Sequence, residues 1–581
     1  MIRGNVELRV TKQSGKNCVV VFPPVWEVAA PYLAGPSLAA WLRSRGLDAF
    51  LLDANLLFWS HFKNRGNAEA IHEICREQSS SIDLALEDAL VGSSVARMEF
   101  GEFASWLDRS SLTSPAYKLL VRRFGGFWKP APQDRFDTLD YHDGLFSDVS
   151  HSAAALNSGS LRDSLLDNRL NPWLGFAERH VMPKVEEAEP SLLGISIVAV
   201  NQVVPAFSIG VIARKMCPTL PIFFGGAWVT QLRERLKTVE WFRELGFVFV
   251  PFQGEAALSD AMSSILSGAD TMDGFSGEHV REVGRQVPMN DLPSPDFSDL
   301  HLGAYGEPGH LPLMASRGCY WGKCKFCSYP ILEPEFEVRN QKRLSKDIDR
   351  LVKAHGARHI AFVDPSISAP LARRIADTIF ATGADVSWGG LARLEHRFTR
   401  DLLRHISFGG CRVMHWGLES GSRRVQDSIC KGIELDTVRG VLEDAAAAGI
   451  HNRVLMMYGL PGETDADLEA SLSFIEKNLA AMHSICWSHY AAEEGTPFGN
   501  DLITLDPSAR STTDLSVGVR LTSSLSPSFL RDAKAQMNLL SARIAVNSRQ
   551  VLKRPALDTI VGPLAVQGTD LCSISSPPSG G

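Results

Sequence analysis

The sequence contains no apolar run long enough to span a bilayer. Its most hydrophobic stretch, Ile195 to Ala213, is interrupted by Asn201, Gln202 and Pro205, short of the ~18 uninterrupted apolar residues of a transmembrane helix. An apolar h-region is missing from MIRGNVELRVTKQSGK at the start, so no secretory signal, no membrane partner and a cytoplasmic location are expected. Excess positive charge is missing too. Lys and Arg total 59 against 66 Asp and Glu, net −7, with the signs interspersed. Readers of a phosphate backbone carry a basic face, so nucleic acid is not an expected partner. Cysteine is scarce, 10 in 581 residues, which excludes a disulfide scaffold and leaves metal or redox chemistry for any cluster. What remains is ordinary for a globular protein, 45% hydrophobic and 22% charged, with a length that suits about four domains.

The organisation is α/β. Cys18 to Phe22 reads as a buried parallel strand, Pro36 to Arg45 as a helix ending at Gly46, and Ala49 to Asp53 as a second strand. The rhythm resumes with strand Leu192 to Val200, helix Ala206 to Met216, strand Pro221 to Phe224, helix Thr230 to Lys237, strand Phe247 to Val250, and a helix opening at Gly254. Residues 56 to about 185 form a helical insertion rich in aromatics such as Trp59, Trp106 and Trp128. It is too long for a bare βα loop; helix packing is the plainer reading and a lid over a ligand the sharper one. Residues 271 to 312, Pro-, Asp- and Gly-rich from about 285, read as a linker. A second alternation follows, with strands at Leu313 to Ala315, His359 to Val363, Val386 to Trp388, Val413 to Trp416 and Val454 to Met457. It suggests a partial or full (β/α) barrel of the TIM type over 313–500. The last part, 501–581, reads as a small helical region with one good helix from a Ser526 cap to Ser548, and a Ser/Pro/Gly tail expected to be disordered.

Three cysteines, Cys319, Cys324 and Cys327, sit on one loop directly after a barrel strand, at the end where barrel active sites are built. A structural zinc site wants four ligands, but there is no second CxxC and no histidine between His310 and His355. A redox pair needs only two cysteines. Three thiolates can hold a 4Fe-4S cluster and leave one iron open; zinc and purely structural cysteines are the rival readings.

The segment SRGCYWGKCKFC resembles the cluster loop of radical S-adenosylmethionine (radical SAM) enzymes, with Phe326 as the aromatic before the last cysteine. The first gap is four residues where the commonest family spacing has three. The resemblance implies that the open iron binds the amino and carboxylate groups of SAM, which is then reduced and cleaved to methionine and a 5′-deoxyadenosyl radical. Further segments match in order. Asp364 closes an F-x-D element, Arg393 stands where a SAM-carboxylate arginine occurs, Glu419 and Ser420 fall in the GLESG motif that reaches the SAM ribose, and Gly459 and Gly462 in the glycine motif near adenine.

The N-terminal part resembles the cobalamin-binding, Rossmann-like (flavodoxin-like) domain joined to such barrels. Ser196, Val198, Gly225 and Gly226 match the stretches that line the slot for the cobalamin nucleotide tail. The expected domains are therefore 1–270 for cobalamin and 313–500 for the radical SAM barrel. The loop after Phe22 lacks the histidine that ligates cobalt in base-off domains, and Asp140 to Gly144 is a near miss with the wrong spacing. The resemblance implies a cobalamin-dependent methyltransferase acting on an unactivated carbon of a small molecule or a peptide, with a flavodoxin- or ferredoxin-type electron donor. Radical cyclisation, rearrangement or oxidation without methyl transfer is the alternative within enzymes, and a non-catalytic cobalamin or iron–sulfur protein the alternative outside them. Tyr458, His489, Glu493 and Glu494 are candidate substrate contacts near strand ends.

Overall fold

The computed structural model describes residues 17–24, 26, 29–62, 156–167, 171–268, 279–281 and 286–551. Its first sheet holds β1 (Asn17–Phe22), β2 (Asp48–Asp53), β3 (Pro190–Ser196), β4 (Ile222–Gly225) and β5 (Phe247–Phe249), in the order β2-β1-β3-β4-β5, with every neighbouring pair parallel. β1 is apolar from Cys18 to Phe22 because helices cover both faces. Val19 and Val21 enter one core with Phe207 and Trp228, while Cys18 and Val20 enter the other with Leu42, Leu258 and Met262. Strand order reverses between β1 and β3. In open α/β sheets the crevice outside the carboxyl ends at such a point binds the ligand.

The second sheet opens with β6 (His310–Leu313). An antiparallel ribbon of β7 (Ser316–Arg317) and β8 (Glu337–Val338) brackets the cysteine loop. Then come β9 (His359–Phe362), β10 (Ser387–Arg393), β11 (Cys411–Glu419), β12 (His451–Tyr458) and β13 (Ser484–His489). β6 and β9 to β13 pair in that order, all parallel, as a six-stranded partial barrel. Its helices are well punctuated. Asn340 caps Gln341–His355 by accepting from the Arg343 N–H at 2.8 Å, and Gly356 ends it at φ 67°. Alternation on β11 sends Met414, Trp416 and Leu418 outward into the core with Val438 and Leu442 of helix Leu435–Ala447.

Several boundaries differ from expectation. β6 starts at His310, inside the expected linker, because that histidine is buried and its Nδ1 meets the Glu307 carboxylate at 3.0 Å. β13 was not expected, since its half-buried SICWSH lacks a continuous apolar run. The region beyond 500 is not purely helical, for β14 (Ala492–Glu493) pairs with β15 (Gly518–Val519). The last helix runs Pro527–Val551, and the Ser526 hydroxyl donates to Asp465 at 2.6 Å. Helices Ala54–Phe62, Ser158–Ser164, Pro172–Phe176 and Met182–Glu187 bracket the insertion. Residues 63–155, with Asp140 to Gly144, lie outside the described residues, as does the tail from 552. Among the described residues no helix is long and apolar enough to cross a membrane.

Candidate cofactor site

The loop after β6 carries Cys319, Cys324 and Cys327, all partly exposed and unpaired. Backbone geometry fixes where it starts. Gly318 adopts φ 73°, and a Cβ there would lie 2.2 Å from the Glu335 carbonyl oxygen, so only glycine permits the β7–β8 ribbon to close behind the loop. Gly322, within the first cysteine gap, adopts φ 61° and supplies the turn that accommodates the fourth residue. The Cys327 N–H donates to the Cys324 carbonyl at 3.2 Å. Burial pushes the Cys327 thiol up to about 12 and raises Cys324, so both are protonated without a bound cation, and binding a metal there would release their protons.

The strand ends place the other expected residues around this loop, in two kinds of role. Glu419, the last residue of β11, adopts φ 69°, an uncommon conformation for a side-chain-bearing residue. Its Oε1 accepts from Lys431 Nζ at 2.6 Å in a buried ion pair. The Arg393 guanidinium stacks 3.8 Å from the Trp321 ring centroid, pairs with Glu395 at 3.2 Å, and leaves a buried Nε without a hydrogen-bond partner. Phe326 packs with Leu460 and Phe498, and Lys431 Nζ stands 5.5 Å from its ring centroid.

Asp364, Ser420 and the glycine motif are each hydrogen-bonded within the protein. Asp364 is wholly buried and raised to about 6 by that burial. It accepts from the Ala315 N–H at 3.1 Å, the Ser316 hydroxyl at 2.6 Å and the Ser316 N–H, so it pins the backbone just ahead of the cysteines. Ser420 is tied to Ser471 at 3.0 Å and to the Ser422 N–H. Gly459 and Gly462, at φ 79° and 72°, belong to a turn closed by the Glu463 carboxylate, which accepts from the N–H groups of Gly459 and Leu460 at 2.6 and 3.1 Å.

In the first sheet, Ser196 and Gly225 are register partners at the carboxyl edge of β3 and β4. Gly226 adopts φ 101°, and a Cβ there would lie 2.2 Å from the Ile197 carbonyl oxygen, so the turn hugs the end of β3. Buried Gln202 braces the switch point, donating to the Pro23 carbonyl at 2.7 Å and accepting from the Val198 N–H at 2.9 Å.

These two carboxyl edges meet. Glu255, in the helix after β5, pairs with Arg317 just ahead of the cysteine loop at 3.0 Å, both buried. Gln231 and Arg235, in the helix after β4, hold Glu493 at 2.8 Å and Glu494 at 2.5 Å. Those two glutamates therefore belong to the contact between sheets. Tyr458 and His489 pack edge to face at 5.1 Å, with Lys534 of the last helix 5.9 Å from the tyrosine ring. Sequence reasoning missed Arg317, Glu255, Gln202, Trp321 and Lys431, each of which bonds to a residue outside its own helix or loop.

The donor set suits an iron–sulfur cube. One loop offers three cysteines, the number that holds a 4Fe-4S cluster with one iron open, where a structural zinc site takes four ligands. The Ser196–Gly225 pair lies at the carboxyl edge of the first sheet, the edge at which open α/β sheets bind ligands.

Comparison with known proteins agrees. Residues 313–475 match the radical SAM superfamily. An uncharacterised methyltransferase of Pyrococcus horikoshii is 25% identical over 309 residues, covering 50% of this chain and 65% of the relative. The anaerobic magnesium-protoporphyrin IX monomethyl ester cyclase of Cereibacter sphaeroides is 22% identical over 378 residues, covering 61% and 60%. The chain thus spans less than two thirds of the length of either curated relative. Among solved structures, the cobalamin-dependent radical enzyme OxsB with aqua-cobalamin and SAM superposes with TM-score 0.57 at 13% identity, covering 91% of this chain and 66% of that one. The radical SAM methyltransferase TsrM of Kitasatospora setae, with cobalamin and a [4Fe-4S] cluster, gives 0.54 at 12%, covering 90% and 91%. Residues 313–475 are therefore a radical SAM superfamily domain, set in a chain with the fold of the cobalamin-dependent radical SAM enzymes.

Proposed function

We propose that this chain is a cobalamin-dependent radical SAM methyltransferase that acts on an unactivated carbon of a small molecule or a peptide, with residues 1–270 serving cobalamin, 271–312 linking, 313–500 forming the catalytic barrel and 501–581 a C-terminal region. The observation that carries this reading is the apposition of the two carboxyl edges through Arg317–Glu255, with the switch point on one side and the three-cysteine loop on the other. Cys319, Cys324 and Cys327 would hold three irons of a 4Fe-4S cluster, leaving the fourth for the amino and carboxylate groups of SAM. Glu419 would take the ribose hydroxyls, Arg393 the carboxylate through its free Nε, and Gly459 and Gly462 the adenine. Ser196, Val198, Gly225 and Gly226 would line the cobalamin tail. When bound, these groups supply a 5′-deoxyadenosyl radical and a transferable methyl. The protein's own part is to fix the ribose through one oriented carboxylate, to hold the loop through Asp364, and to exclude water at the buried Glu419–Lys431 pair. A flavodoxin- or ferredoxin-type donor would deliver the electron.

The test is anaerobic reconstitution with iron, sulfide and hydroxocobalamin, then reductant and methyl-deuterated SAM. Corrinoid retained through desalting, 5′-deoxyadenosine in the products, and a labelled methyl on a compound from a cell extract are expected. Iron-replete protein that makes no 5′-deoxyadenosine overturns the enzyme reading. A product with no added methyl overturns the methyl transfer and favours ring formation, the chemistry in the name of the Cereibacter relative.

A further inference from the structure

We propose that Cys430, Lys431 and Gly432 form a strap across the cysteine loop, and that Lys431 is a positioning residue which makes the cluster easier to reduce. This rests on the radical SAM reading above and extends it to a residue outside every motif that supports that reading.

The strap is tied down from several sides. The Trp321 indole N–H donates to the Cys430 carbonyl at 2.9 Å, and the Lys325 N–H to the Ile429 carbonyl at 3.0 Å. Arg393 Nη2 donates to the Gly432 carbonyl at 3.3 Å. Gly432 adopts φ 67°, and a Cβ there would lie 2.5 Å from the Trp321 ring. Trp321 lies within the long first cysteine gap, so the departure from the commoner spacing has a use: its indole is clamped between Arg393 and the strap.

Lys431 is thereby held where a flexible surface lysine is not. It is buried, with Nζ 2.6 Å from Glu419 Oε1. The space it fills exists because Gly417 has no side chain, for a Cβ there would lie 2.7 Å from Nζ and 2.8 Å from Oε1. Its charge is felt by Cys324, Cys327 and Glu419. Two consequences follow from electrostatics at low dielectric. Lys431 occupies one carboxylate oxygen of Glu419 and orients the other toward the site, as recognition of a ribose requires. It also offsets the negative charge of Glu419 and the thiolates, so that the one electron the cluster takes from an external donor enters a less negative site.

The experiment compares reconstituted full-length wild type with Lys431→Gln and Lys431→Arg, reading the cluster midpoint by electron paramagnetic resonance during a dithionite titration, and SAM affinity by equilibrium dialysis. Gln keeps a hydrogen-bond donor and loses the charge; Arg keeps both. Lys431→Gln is expected to shift the midpoint negative and to weaken SAM binding by about tenfold through loss of the charge that orients Glu419, while Lys431→Arg stays near wild type. Iron-replete variants with the wild-type midpoint overturn the proposal and leave the radical SAM reading intact. A wild type with no reducible cluster overturns both. Should Lys431→Gln fail to fold, Trp321→Phe, which removes the tie to Cys430 and shrinks the ring packed against Arg393 and Gly432, is expected to shift the midpoint in the same direction, and an unshifted midpoint there overturns the strap.

Discussion

Arg317→Met tests the contact between the two sheets. Arg317 Nη2 lies 3.0 Å from Glu255 Oε1, with the two side chains 9% and 6% exposed. Glu333 is close enough that Arg317 lowers its pKa while Glu255 raises it, although burial dominates and leaves Glu333 above the usual carboxylate range. Removing the guanidinium strands the buried Glu255 carboxylate and takes the neighbouring positive charge from half-buried Glu333. Breaking a buried pair from one side costs about 3–5 kcal/mol, whereas replacing both partners by apolar residues is close to neutral. The pH dependence has a definite sign. Burial already holds the Glu333 carboxyl above its unfolded value, and losing the Arg317 charge raises it further. As pH falls through the folded-state value, the folded protein takes up a proton that the unfolded chain does not, regaining about 1.4 kcal/mol per unit of that further rise. The deficit of Arg317→Met therefore narrows on acidification, and Arg317→Met with Glu255→Leu recovers much of it at neutral pH. Urea unfolding of the cofactor-free protein across a pH series measures both effects. A cost below about 1 kcal/mol, or a deficit that widens as pH falls, refutes the assignment of this pair as the buried link between the sheets.

Three further outcomes are expected. Gly226→Ala puts a Cβ 2.2 Å from the Ile197 carbonyl oxygen at φ 101°, a region that costs of order 1–3 kcal/mol for a side-chain-bearing residue before the clash is counted; a lowered unfolding midpoint together with lost corrinoid retention is expected, and retention equal to wild type would refute the role of the turn. Gly318→Ala meets the Glu335 carbonyl oxygen at 2.2 Å, one residue before Cys319, so iron content after reconstitution should fall while the far-ultraviolet circular dichroism stays; full iron loading would contradict it. His415→Leu should stabilise the protein by about 1–3 kcal/mol, because both ring nitrogens of this wholly buried histidine lack partners. Burial holds its pKa well below the usual value, so in wild type stability is lost as pH falls below about 6.5, where only the unfolded chain takes the proton. The leucine variant should lose less over that range, and equal acid sensitivity would count against this.

Legibility followed the range of the interactions. The parallel strands of the first sheet announce themselves as apolar runs because both faces are buried, as Cys18 to Val21 show. The cysteine loop was legible because three soft ligands must stand within a few residues to share one cluster. β13 was not, since a half-buried edge strand needs neither a run nor strict alternation. Lys431 and Arg317 were invisible for another reason. A buried cation is recognised by its partners, and those lie 12 residues away at Glu419 and 62 away at Glu255, at separations that only the fold decides.

The motif positions also divide in a way that sequence could not foresee. Asp364, Ser420 and the glycine turn at 459–462 bond to the backbone at 315–316, to Ser471 and to the Glu463 carboxylate, so they brace the backbone in addition to the cofactor contacts proposed for them. Glu419, Arg393 and Phe326 instead gather around Lys431 and Trp321 beside the cysteines. A cluster that must stay open at one iron cannot be held by a closed shell of ligands, so the precision has to come from how the loop is braced. Asp364 braces it at the root, Trp321 and the strap across its width, and Arg317 against the other sheet. Many residues that a motif marks around such a site are there because the loop must not move, and the groups left over, with a strained backbone at Glu419 and an unpartnered Nε at Arg393, are the ones with bonding capacity to offer a ligand.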